Sequence, residues 1–99
     1  MYSAPEVLTF DFFDNSKNFY DSKSDIWSIG CVFYEMLTGR TPFYGTSVVE
    51  ILNNIKQTAS KIAKEIDFKF GLDNFFQKVF ILNPKERLDW KEFFSHSIF

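Results

Sequence analysis

The stretch Ser22-Lys23-Ser24-Asp25-Ile26-Trp27-Ser28-Ile29-Gly30-Cys31-Val32-Phe33-Tyr34-Glu35-Met36-Leu37-Thr38-Gly39-Arg40-Thr41-Pro42 decides the reading of this 99-residue chain. Between Ile26 and Leu37 only Ser28 and Glu35 are plainly polar, and a helix that is apolar nearly all round has to be surrounded by protein or by lipid. A membrane span takes about 20 consecutive apolar residues. This run is shorter and charged at both edges, so it predicts the central buried helix of a soluble fold, over about 22–38. Ser22 followed by Asp25 fits a capping box, in which the two side chains satisfy free backbone amides of the first turn. Gly39 can take the left-handed conformation that stops a helix, and Pro42 forbids continuation.

A buried helix needs neighbours, and the flanking sequence predicts them as helices. Upstream, Pro5 suits a first helical position with Glu6 at the positive end of the dipole, giving a short turn that ends near Thr9 or Phe10. Asp11 to Tyr20 has no clean period and reads as a surface loop. Downstream, Ser47 and Glu50 repeat the capping pattern, and Val48, Ile51, Leu52 and Ile55 follow at helical spacing. Thr58 to Phe70 mixes helical and alternating spacings and reads as loop with some helix. Leu72, Phe75, Phe76, Val79 and Phe80 predict a further helix ending before Asn83-Pro84. Asp89 and Glu92 frame a last one, with Trp90, Phe93 and Phe94 as its buried face. No hairpin signal or internal repeat occurs, so the expected class is all-α.

Composition narrows the partners. Net charge is −2 and nine of the eleven basic residues are scattered Lys, so no basic stripe offers nucleic acid or an anionic membrane a landing surface. The aromatic fraction of 20%, with 14 Phe, demands burial or a partner, and 99 residues are few for a fold with a wholly enclosed central helix. The single cysteine, Cys31, lies in the apolar helix and reads as a small core hydrophobe, which suits a reducing compartment. The first residues have neither a basic region nor an apolar signal core, so the expected location is the cytoplasm, or else the nucleus.

The order of the motifs then carries a resemblance. Tyr2-Ser3-Ala4-Pro5-Glu6, Asp25-Ile26-Trp27-Ser28-Ile29-Gly30 and Leu82-Asn83-Pro84-Lys85-Glu86-Arg87 together resemble the C-terminal part of a eukaryotic protein kinase domain, from the end of its activation segment onward. The central helix and Trp90 to His96 are most similar to the serine/threonine branch, nearest to the autophagy-initiating kinases and their relatives. The resemblance implies that Glu6 pairs with Arg87, and that Asp25 accepts hydrogen bonds from the catalytic-loop backbone. It also implies that Trp27 packs near Pro5, that Gly30 is a structural position, and that Tyr2 and Ala4 wall the pocket for the substrate residue after the phosphorylated one. Read without the resemblance, Glu6 and Arg87 are two surface charges, Asp25 is a first-turn acid and Trp27 is core. Ser97 stands where the family usually has Pro, and His96 reads as a residue near a helix end.

Kinase catalysis needs a glycine-rich loop, a phosphate-binding lysine, an Asp and Asn for magnesium, and a catalytic Asp. The sequence has no Gly-x-Gly-x-x-Gly, His-Arg-Asp or Asp-Phe-Gly; Asp11-Phe12-Phe13 follows the Ala-Pro-Glu triplet and lacks the glycine. No catalytic, cofactor-binding or metal-binding residue is therefore assigned; Mg-ATP belongs to the intact parent family. The expectation is a kinase fragment, inactive alone, that begins at an internal methionine and whose partners are protein substrates or the missing kinase segments. The alternatives are a non-catalytic remnant acting as an interaction module and an unrelated helical domain. Expressed alone, the chain is expected to self-associate or aggregate.

Overall fold

The computed structural model describes residues 3–8 and 22–98, with no statement of the Ser22 side chain. The loop reading of Asp11 to Tyr20, the end of the first turn at Thr9 or Phe10, the Ser22 cap and the pocket residue Tyr2 lie outside the described residues. Among these residues the architecture is all-helical, with no strand.

The first helical turn, α1, covers residues 5–8. Pro5 starts it, and Ala4 closes it by accepting from the amides of Val7 at 3.1 Å and Leu8 at 3.0 Å. The central helix α2 runs Ser22–Thr38. It stops as its sequence dictates: Gly39 sits at φ +76°, and its amide donates to the Glu35 carbonyl at 2.7 Å.

Helix α3 runs Val48–Phe70 as one continuous rod of 23 residues, which corrects the loop expected from Thr58 onward. Ile55, Ala59, Ala63 and Ile66 are all buried and continue the stripe begun by Ile51 and Leu52. The two alanines carry little hydrophobic weight in a sequence, yet they let α3 lie close against its neighbour. Ser47 caps the helix by accepting from the Glu50 amide at 3.1 Å. Glu50 completes only half of the expected box, because its carboxylate takes the amide and hydroxyl of Thr46 instead of the Ser47 amide. Gly71, at φ +63°, ends the helix in the left-handed conformation.

Helix α4, Phe75–Val79, is shorter than the spacing from Leu72 suggested, because Asp73 and Asn74 both take positive φ and form a turn. Helix α5, Trp90–Phe94, has the complete capping box expected of Asp89 and Glu92. Its buried face is narrower than expected: Phe93 is buried and Phe94 is exposed.

An aromatic wall runs through the core. Trp27 stacks on Phe43 at 5.4 Å between ring centres and meets Phe80 at 5.0 Å, while Phe75 packs edge-on against Phe76, Phe93 and the His96 ring. Gly30 lies where this wall touches α2. A Cβ there would sit 2.5 Å from Val79 Cγ1, so only glycine allows α2 and α4 to approach this closely. Cys31 is wholly buried in the same layer, and burial pushes its thiol up to about 12, which fits a core hydrophobe.

The central helix carries an exposed apolar stripe among the described residues. Ile29, Val32 and Met36, spaced along one face, are 41%, 46% and 77% exposed, and Asp25 begins the same stripe. Helices α4 and α5 pack against α2 elsewhere on its surface.

Candidate functional site

The residues singled out by the motifs converge where α1, the first turn of α2 and the segment before α5 meet. Arg87 is 1% exposed. Its guanidinium forks onto Glu6, with Nη1 2.7 Å from Oε2 and Nη2 2.9 Å from Oε1, joining positions 81 residues apart. The remaining donors are also engaged. Nε and Nη2 donate to the Ile81 carbonyl at 3.0 and 2.8 Å, Nη2 reaches Leu82 O at 3.3 Å, and Nη1 donates to Lys23 O at 2.9 Å. Lys23 Nζ in turn donates to the Arg87 carbonyl. A buried guanidinium is tolerable only when paired and hydrogen-bonded in this way.

Neighbouring groups complete the arrangement. Ser24, buried in the first turn of α2, donates its hydroxyl to Glu6 Oε2 at 3.0 Å. The Trp27 ring lies beneath the guanidinium, 4.9 Å from Cζ, so the cation rests on an aromatic face. The Trp27 Nε1 atom is buried without a hydrogen-bond partner among the described residues. Pro5 and Ala4 are both buried beside Glu6. Asp25 is exposed to solvent and takes no part in this cluster's hydrogen bonds among the described residues. The arrangement holds segments together; it presents no nucleophile or acid–base pair.

Two further polar devices had no clear signal in the sequence. Asp67, buried near the end of α3, accepts from the amides of Phe76 and Gln77, both at 2.9 Å, and so caps α4 from another helix. His96 meets the Asp73 carbonyl through Nε2 at 2.9 Å, and the Ser97 hydroxyl donates to Asp73 Oδ2 at 2.6 Å. The residue that departs from the usual Pro therefore ties the final turn to the α3–α4 corner.

Residues 1–99 match the protein kinase domain model along their whole length. The chain belongs to the protein kinase domain family. It is 36% identical over 100 residues to the serine/threonine-protein kinase ATG1 of Colletotrichum lindemuthianum, covering 99% of this chain and 14% of that protein. It is likewise 36% identical over 98 residues to the serine/threonine-protein kinase ATG1c of Arabidopsis thaliana, covering 97% of this chain and 12% of that kinase. Among solved structures, Rad53 1–466 in complex with AMP-PNP superposes with a TM-score of 0.69 at 26% identity, over 96% of this chain and 24% of the Rad53 chain. The two ATG1 proteins are serine/threonine kinases, the branch that the motifs indicated, and the chain spans only a small fraction of each protein it matches. Among the described residues no helix is long and apolar enough to cross a membrane.

Proposed function

We propose that this chain is the helical, substrate-side part of a serine/threonine kinase domain and transfers no phosphate by itself. In the parent family, the γ-phosphate of ATP passes to a protein serine or threonine hydroxyl, using residues that other kinase segments contribute. The observation that carries this reading is the buried fork between Glu6 and Arg87. It fastens the end of the activation segment to the loop before α5, and both residues stand in their kinase motifs. On this reading Ala4, with Tyr2, backs the pocket for the residue after the phosphorylated one, while Trp27 and Gly30 seat α2 on the core. Asp25 faces outward, where catalytic-loop amides would donate to it.

On this reading the groups that hold magnesium nucleotide belong to other segments of the parent kinase. Among the described residues no three His, Cys, Asp or Glu side chains converge as metal ligands, and the buried acid Asp67 is engaged with helix amides.

The uncovered stripe of Ile29, Val32 and Met36 supports the same reading, as the place where preceding kinase segments would lie. It also supports the runner-up, a non-catalytic module that binds a partner there. Covering on the order of 300–400 Å² of apolar surface is favourable by roughly 8–10 kcal/mol, so the chain alone is expected to associate. Calorimetry of the pure chain with Mg-ATP is expected to give no saturable heat, and such heat would overturn the proposal. Sedimentation and near-ultraviolet dichroism separate the two readings: a monodisperse monomer with fixed aromatic signals and a cooperative melt favours the binding module.

A further inference from the structure

We propose that the outward face of α3 rests on an anionic lipid bilayer, with Lys56, Lys61 and Lys64 against the headgroups and Phe68 entering the interface. The residues concerned all belong to α3, so the inference stands apart from the kinase-part reading.

Along the sequence these lysines look scattered, and the uninterrupted helix is what gathers them. Lys56, Ser60, Lys64 and Phe68 follow at four-residue spacing and so form a single row on the helix surface, with Lys61 beside it. The row runs about 18 Å, at a rise of about 1.5 Å per residue. The opposite face fixes its direction. Ile51, Ile55, Ala59, Ala63 and Ile66 are buried in the core, so α3 cannot roll, and every residue of the row and Lys61 stand exposed, Phe68 at 92%.

The face is positive along its length. None of the three ammonium groups forms an ion pair among the described residues. Two acids border the row without entering it. Glu65 lines a separate hollow of about 140 Å³ together with Arg40 and Lys69, whose charges face it there. Glu86 lines the cavity of about 400 Å³ that Lys56 and Ser60 also border, at the other edge.

The kinds of residue choose the partner. Lysine carries a compact charge on a flexible stem and makes no fixed fork, which suits mobile headgroups better than one oriented carboxylate. An aromatic ring left almost wholly in water gains by leaving it, and a bilayer interface accepts such a ring without a matching pocket. A rod whose apolar face is held by protein and whose basic face points outward lies flat on a charged plane. Each lysine near an anionic surface is worth roughly fivefold in partitioning, so the three together are worth on the order of a hundredfold.

The test is flotation of the full 99-residue chain through a density gradient, with vesicles of phosphatidylcholine alone or with about 40% phosphatidylserine. Bound chain floats, whereas free or self-associated chain stays below. The chain is expected to float with the anionic vesicles only and to be released by about 0.5 M salt. Lys56→Gln, Lys61→Gln and Lys64→Gln together should lower partitioning on the order of a hundredfold, and Phe68→Ser by about fivefold with the salt dependence kept. Lys78→Gln, Lys85→Gln and Lys91→Gln remove the same charge from exposed positions outside α3 and should leave flotation nearly unchanged. Glutamine keeps the helix propensity of lysine, and an unchanged far-ultraviolet dichroism spectrum checks that the variants fold. No flotation with the anionic vesicles, or equal loss in the two triple variants, would overturn the proposal. So would binding of a labelled polyglutamate peptide without flotation, which would make the partner of this face an acidic protein.

Discussion

Replacing Arg87 with alanine removes a cation that is almost wholly enclosed and donates to Glu6 and three carbonyls. What remains is the Glu6 carboxylate with only the Ser24 hydroxyl to bond it, and the Ile81 and Leu82 carbonyls without their donor. Breaking a buried pair from one side costs about 3–5 kcal/mol, because the surviving charge is stranded. The Glu6 side chain keeps 13% exposure and can recover part of its hydration, so the lower end of that range is expected, about 3 kcal/mol. Single domains are stable by only about 5–15 kcal/mol, so the loss is a large share. Urea titration followed by tryptophan fluorescence is a direct assay, since the Trp27 ring lies 4.9 Å from the guanidinium carbon. Glu6→Ala should also destabilise, and the double variant should cost less than the sum by about 1–3 kcal/mol. Arg87→Lys should rescue poorly, because an ammonium cannot fork onto the carboxylate and reach the Ile81 carbonyl as well. A coupling below about 0.5 kcal/mol would refute the reasoning and reduce the pair to two independent charges.

Gly30→Ala should destabilise by about 1–2 kcal/mol despite the better helix propensity of alanine, because its methyl meets Val79 at 2.5 Å; chemical denaturation measures this, and a stabilised variant would mean that α2 and α4 separate easily. The Ser97 hydroxyl holds the Asp73 carboxyl below the usual carboxylate range, with the charges of His96 and Lys78 as smaller contributions. Because the folded value is depressed, the associated stability is present above the unfolded value and is lost as pH falls through the folded one. In an NMR titration, Ser97→Ala should move Asp73 up toward its ordinary value; an unmoved Asp73 would contradict the bond.

Much of the fold is legible because its punctuation is chemical. Gly39, Ser47 and Asp89 end or begin helices through local hydrogen bonds, and local signals survive whatever the tertiary context. Errors arose where tertiary geometry overrode pattern. Ala59 and Ala63 are too small to register as a hydrophobic stripe, so the second half of α3 looked irregular. Asp73 and Asn74 turn where the Leu72 spacing promised helix. The apolar run of α2 asks for neighbours all round, and the stripe of Ile29, Val32 and Met36 stays exposed in this chain. The site was legible in a different sense. No periodicity joins Glu6 to Arg87, and only the resemblance between motifs suggested the pair. The Asp67 cap left no trace at all, because a lone acid between Ile66 and Phe68 looks like any surface carboxylate.

That cap makes α4 depend on α3. Helix α4 has five residues, too few to nucleate alone, and Asn74 at its start makes no side-chain bond to its amides. The amides of Phe76 and Gln77 are closed by a carboxylate that belongs to the preceding helix. Until the last turns of α3 have wound, Asp67 is not positioned to receive them, and α4 has nothing to begin on. The long helix is thus a template for the short one. The corner between them is stitched less like a hinge than like a seam.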